Sequence, residues 1–141
     1  MNPANPLAVS HFELVGGQPA VDQIVDSFYR HMAARPEAAT ILALHPADLS
    51  ATTLVFKKYL TEWLGGPNRY SQERGHPRLR MRHQPFRIGA AERDAWMLCM
   101  RAAVEEVVGS PRLRELLLLQ LFKVADWMRN SDIHPSQQPP P

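Results

Sequence analysis

Residues 76–96 read HPRLRMRHQPFRIGAAERDAW, and the unusual chemistry of the chain is concentrated there. His83 closes an arginine-rich turn and is followed by Gln84, Pro85 and Phe86. Proline has no N–H and its ring clashes with the preceding turn, so Pro85 ends any helix just beyond His83 and fixes where the imidazole points. Held between helices, such a histidine can serve a cofactor pocket. A histidine packed or solvated in a loop gives the same local pattern, and for an arbitrary histidine that is the commoner case. Around it lie Arg69, Arg74, Arg78, Arg80, Arg82, Arg87 and Arg93, with the rings of Tyr70 and Phe86. Guanidinium groups suit carboxylates and phosphates. The cluster reads as a nucleic-acid patch, as carboxylate partners, or as a solvated face. No helix-turn-helix or zinc-ligand spacing accompanies it, which weakens the nucleic-acid reading. Nothing marks the lone cysteine, Cys99, as a low-pKa thiol, so core packing is its expected role.

Helices must position these residues. After Gly16-Gly17, the residues Val21, Ile24, Val25, Phe28, Tyr29 and Met32 recur on one helical face. Pro36 stops that helix, a short turn is expected over 38–44, and His45-Pro46 forms a corner because a residue before proline avoids helical dihedrals. Ser50 is placed to cap a second helix whose apolar face is Phe56, Tyr59, Leu60, Trp63 and Leu64, ended by Gly65-Gly66-Pro67. From Asn68 to Gly89 no long period is sustained, so the reading is a loop with a short helix around 77–83. Trp96, Met97, Met100, Ala103, Val104, Val107 and Val108 form a third stripe. Ser110-Pro111 opens a fourth helix through Leu113, Leu116, Leu117, Phe122, Val124 and Trp127. No segment alternates as a half-buried strand would, and the fold class is all-α.

At 141 residues the chain has the size of one domain, with an expected loose extension over 1–11, the domain over 12–130 and a proline-rich tail over 131–141. Hydrophobic residues make up 45% and charged residues 21%, a globular rather than a disordered composition. The net charge is only +2, and Lys57, Lys58 and Lys123 are the only lysines among sixteen basic residues. One cysteine excludes an internal disulfide, and the N-terminus lacks a signal-peptide pattern, so a cytoplasmic location is expected. No unbroken apolar run, Leu116–Leu119 included, approaches the roughly 20 residues that span a bilayer, so no membrane role is expected.

The ordered elements Gly16-Gly17, Phe28-Tyr29, Leu64-Gly65-Gly66-Pro67, Gly75-His76-Pro77, Arg82-His83-Gln84-Pro85-Phe86 and Glu92-Arg93-Asp94-Ala95-Trp96 together resemble the group II truncated haemoglobins. The resemblance extends from residue 12 to about residue 130. It implies a truncated globin, a two-over-two helical sandwich around haem b. It implies His83 as the proximal iron ligand, a role neutral imidazole suits. It places Tyr29 and Trp96 on the distal side, where O–H and N–H donors stabilise charge on a bound diatomic ligand. From periodicity alone both are plain core residues. At the corner before Pro46, where the family usually has tyrosine or phenylalanine, this chain has His45, a group able to donate, accept and titrate. Thr52 falls where many globins have a distal histidine, and Phe56 where the family often has leucine or glutamine. Tyr70, Arg80, Arg82 and Phe86 are the implied haem contacts, with Tyr70, Arg80 and Arg82 facing the propionates.

The resemblance thus implies reversible binding of dioxygen or another diatomic ligand, with possible nitric oxide dioxygenase or peroxidase-like redox chemistry and a reductase as electron donor. Nucleic acid is not an expected partner, and the chain is a monomer or a homodimer. The competing reading is a cofactor-free four-helix interaction module that binds nucleic acid through its arginines.

Overall fold

The computed structural model describes residues 9–131, so most of the expected extension and of the tail lies outside the described residues. Its helices are α1 (His11–Val15), α2 (Gly17–Ala34), α3 (Ala39–Leu42), α4 (Ser50–Trp63), α5 (Arg69–Arg74), α6 (Leu79–His83), α7 (Ala90–Val107) and α8 (Pro111–Trp127). A 3-10 turn, Pro36–Ala38, precedes α3, and there is no strand among the described residues. Packing of α2 on α4 and of α7 on α8, joined where α2 lies across α7, builds the two-over-two arrangement.

The α2 stripe is buried throughout, with Val21, Ile24, Val25, Phe28, Tyr29 and Met32 all in the core. Facing them are Leu60 and Leu64 of the α4 layer and Met100, Ala103 and Val104 of α7, with Cys99 fully enclosed beside them. Among the described residues two polar residues, Ser27 and Thr61, are buried, and both are satisfied. Ser27 donates to Glu106 across the α2–α7 seam, and Thr61 shares hydrogen bonds with Gln18 across the α2–α4 seam.

Three details differ from the sequence expectation. Ser50 is the first helical residue of α4 and not its cap; its N–H donates instead to Asp48 Oδ1 at 3.0 Å. The polar helix α5 carries no apolar stripe to announce it, but its Tyr70 is buried edge-on to Tyr59, with ring centroids 5.7 Å apart. In α8 the inward face is Leu117, Leu118, Leu121 and Ala125, continued by Met128, while Leu116, Phe122 and Trp127 point outward. Ser110 caps α8 as expected, its Oγ accepting from Leu113 N–H. At the start of α7, Glu92 reaches back to accept the Gly89 N–H, the side-chain half of a capping box.

Candidate functional site

Four elements bring their aromatic residues to one place. Tyr29 stands next to Phe28 on α2, Phe56 projects from α4, Trp96 from the second turn of α7, and His45 from the corner after α3. Phe28 is the hub, with ring centroids 5.0 Å from Tyr29, 5.5 Å from Phe56 and 5.3 Å from Trp96. Tyr29 meets Phe56 at 6.1 Å, and Phe56 meets Trp96 at 6.4 Å. Tyr29, His45, Phe56 and Trp96 are thus neighbours, although their sequence positions span about half of the chain. Thr52, small and half-buried, lies one helical turn before Phe56 on α4. Burial holds the Tyr29 phenol well above its ordinary pKa, so this group remains an O–H donor at neutral pH.

The histidines divide by their ring hydrogen bonds. In His31, Nδ1 accepts from Arg35 Nε and Nε2 donates to the Glu106 carboxylate. In His76, Nδ1 accepts the Arg78 N–H. Neither presents a lone pair on Nε2 when neutral. His83 and His45 are the reverse case. His83 Nδ1 lies 2.6 Å from the Leu79 carbonyl oxygen, and His45 Nδ1 lies 2.7 Å from that of Ile41. A carbonyl can only accept, so when either ring is neutral Nδ1 carries the proton and Nε2 keeps its lone pair.

The remaining expected residues are dispersed. Tyr70 is buried against Tyr59; Arg80 is exposed, with its guanidinium 4.9 Å from the Trp127 ring centre; Arg82 is exposed on α6; and half-exposed Phe86 follows the α6 turn. Within the arginine cluster, Arg93 bridges Asp94 and Asp126 and lies over Phe122, so it is engaged inside the chain. A groove of about 820 Å³ between α7 and α8, lined partly by Met97, Leu118 and Phe122, contains none of the expected site residues. Sequence reasoning missed Phe28 as the hub and Asn130 as a partner of the His83 turn. Position 28 was legible as core but not as a bridge between two donors.

A family profile described as "Bacterial-like globin" matches residues 10–130. The chain is a group II truncated haemoglobin. It is 40% identical over 114 residues to the group 2 truncated hemoglobin YjbI of Bacillus subtilis, which covers 81% of this chain and 84% of that one. Among solved structures, the group II 2-on-2 hemoglobin of Agrobacterium tumefaciens superposes with a TM-score of 0.85 at 43% identity, covering 88% of this chain and 96% of that chain. The cold-adapted truncated hemoglobin of Pseudoalteromonas haloplanktis gives a TM-score of 0.85 at 36% identity, covering 87% and 99%. As a truncated haemoglobin it is a globin haem protein for diatomic ligands, and no helix among the described residues is long and apolar enough to cross a membrane.

The residues present fit haem. Histidines that bind a metal commonly donate their second ring nitrogen to a carbonyl or carboxylate, which sets the tautomer and aims the ring. His83 has this arrangement at the end of α6, where Pro85 follows it.

Proposed function

We propose that this truncated haemoglobin holds haem b through His83 Nε2 and binds dioxygen or another diatomic ligand reversibly beside Tyr29, His45, Phe56 and Trp96. The observation that carries the reading is the His83 Nδ1–H bond to the Leu79 carbonyl, which leaves the second nitrogen ready as a donor to iron. Haem, when bound, supplies the iron at which the ligand attaches.

The chain supplies the rest. Tyr29 O–H and Trp96 Nε1–H are the donors that hold a partly charged ligand atom. Phe28 and Phe56 wall them off from water, which strengthens each hydrogen bond. Thr52 leaves space that a larger side chain would fill. His45, with its Nδ1–H committed to Ile41, faces Tyr29 as an acceptor. Arg80 and Arg82 on α6 are the proposed partners of the haem carboxylates, with Tyr70 and Phe86 as flanking rings. A cytoplasmic setting, a reductase partner and turnover of nitric oxide or peroxide complete the proposal on the strength of family resemblance.

The test is reconstitution of the purified chain with haem, read by optical and resonance Raman spectra. A Soret band and an iron–histidine stretching mode are expected in the parent. His83→Ala should lose the mode and fail to retain haem. No Soret band after haem addition overturns the function, and an unchanged mode in His83→Ala overturns the assignment of His83.

A further inference from the structure

The α6 helix has little of its own to hold it in place. It is five residues long, buries none of them, has no side-chain cap at its start, and is preceded by Arg78, whose φ of 47° lies in the left-handed region that non-glycine residues rarely adopt. Yet His83 sits at its last position. The Leu79 carbonyl orients the ring only relative to α6, so whatever fixes α6 and its C-terminal turn must act from outside the helix.

That role falls to the residues just past α8. Asn130 Nδ2 donates to the Phe86 carbonyl at 2.7 Å and to the His83 carbonyl at 3.3 Å, while Asn130 Oδ1 accepts the Ile88 N–H at 2.9 Å. The backbone N–H groups of Asn130 and Ser131 both donate to the Ile88 carbonyl, at 2.9 and 3.1 Å. The His83 carbonyl also accepts the Phe86 N–H at 3.0 Å, so the turn from 83 to 86 is closed on itself and gripped by one side chain. Two residues before Asn130, Met128 is buried, which ties this grip to the core.

We propose that Asn130 is a positioning residue for His83, coupling the end of α8 to the turn that directs the imidazole. The proposal rests on the reading of His83 as the iron ligand. A carboxamide is the side chain that suits the task, because it offers two N–H donors to two carbonyls and one oxygen to an N–H. An aspartate in its place keeps the acceptor but turns a carboxylate oxygen toward two carbonyl oxygens.

The experiment compares haem-loaded parent, Asn130→Ala, Asn130→Asp and His83→Ala, at full length. The readouts are the iron–histidine stretching mode of the ferrous protein, the rate of haem loss to an excess of an apo-globin scavenger, and hydrogen exchange at the Ile88 amide. Both Asn130 variants are expected to shift or broaden the stretching mode and to lose haem about threefold to tenfold faster, the equivalent of roughly one lost hydrogen bond. Ile88 exchange is expected to accelerate in Asn130→Ala and not in Asn130→Asp, which keeps the acceptor. A mode unchanged in position and width in Asn130→Ala, with His83→Ala losing it, overturns the role of Asn130 and leaves the His83 assignment intact. A mode that persists in His83→Ala overturns both.

Discussion

The rings of Tyr29 and His45 meet edge to face, with centroids 5.9 Å apart and planes inclined by 80°. Because His45 Nδ1–H is committed to the Ile41 carbonyl, the neutral ring offers Tyr29 an acceptor and no donor. The Tyr29 hydroxyl then has two possible acceptors, His45 Nε2 and the diatomic ligand. His45→Phe keeps a flat ring in the corner and removes the competing one. Dioxygen release from the haem-loaded variant is expected to slow by about twofold to tenfold, measured by stopped-flow displacement. Release as fast as in the parent would show that the hydroxyl is not shared. Loss of a six-coordinate, low-spin ferric spectrum on making the same substitution would show that Nε2 binds the iron itself.

Tyr29 and Trp96 both pack on Phe28, so a change at either is transmitted to the other. Each donor to a charged oxygen contributes roughly 1.5–3 kcal/mol, so Tyr29→Phe and Trp96→Phe are each expected to speed dioxygen release about tenfold to hundredfold. In the double variant the effects should fall short of the product, because both donors serve one ligand and share one packed ring. Release unchanged in both single variants would return Tyr29 and Trp96 to plain core packing. Burial keeps the Tyr29 phenol protonated, so its effect should not be lost through its own ionisation up to about pH 9.

How much of this was legible in the sequence depended on local pattern. The α2 face follows a clean helical period, and every residue assigned to it is buried. In α8 the run Leu116–Leu119 puts an apolar side chain on every face, so the period carries no register; packing against α7 decides it and turns Leu116 outward. The motif around His83 marked the residue, and its i−4 bond to Leu79 follows from helix geometry once α6 is known. Asn130 was not legible, because its partners lie 42 to 47 residues earlier and an asparagine after a helix ordinarily reads as a terminus. Nor was α5, whose buried Tyr70 is a tertiary contact with Tyr59 rather than part of an apolar stripe.

Gly66 shows the same limit at a single position. It reads as a helix stop, but the structure uses it for a close approach: a β-carbon there would lie 2.8 Å from the Phe12 ring and 3.0 Å from Thr61 Cγ2. The Phe12 N–H also donates to the Leu64 carbonyl at 2.9 Å, so the ring cannot easily retreat. Gly66→Ala is expected to destabilise by about 1–3 kcal/mol, the usual range for overpacking. Thermal denaturation checks this, and Phe12→Leu in the same chain should recover part of the loss. An unaltered midpoint in Gly66→Ala would mean that α1 moves freely on the α4 end.

Glu106 ties α7 to α2 through three partners. Its carboxylate accepts from Ser27 Oγ at 2.6 Å, from His31 Nε2 at 2.6 Å and from Arg30 Nη2. These hydrogen bonds, the Ser27 hydroxyl first, then His31 and Arg30, lower its pKa from 4.5 to about 2. The native state therefore binds the proton more weakly than the unfolded chain does. The stabilisation is fully present above the unfolded value and is lost as the pH falls from about 4.5 through about 2. Its size is limited by solvent, since the pair with Arg30 is exposed. Glu106→Gln cannot titrate, so its urea midpoint should fall less steeply than that of the parent between those pH values, and the two curves should converge at the acid end. Ser27 makes the seam more than a surface ion pair, because its hydroxyl is buried and needs the carboxylate as acceptor. Ser27→Ala is therefore expected to raise the Glu106 pKa and move the acid transition of the parent upward. Parallel urea–pH profiles for the parent and Glu106→Gln would show that this seam does not contribute to acid unfolding.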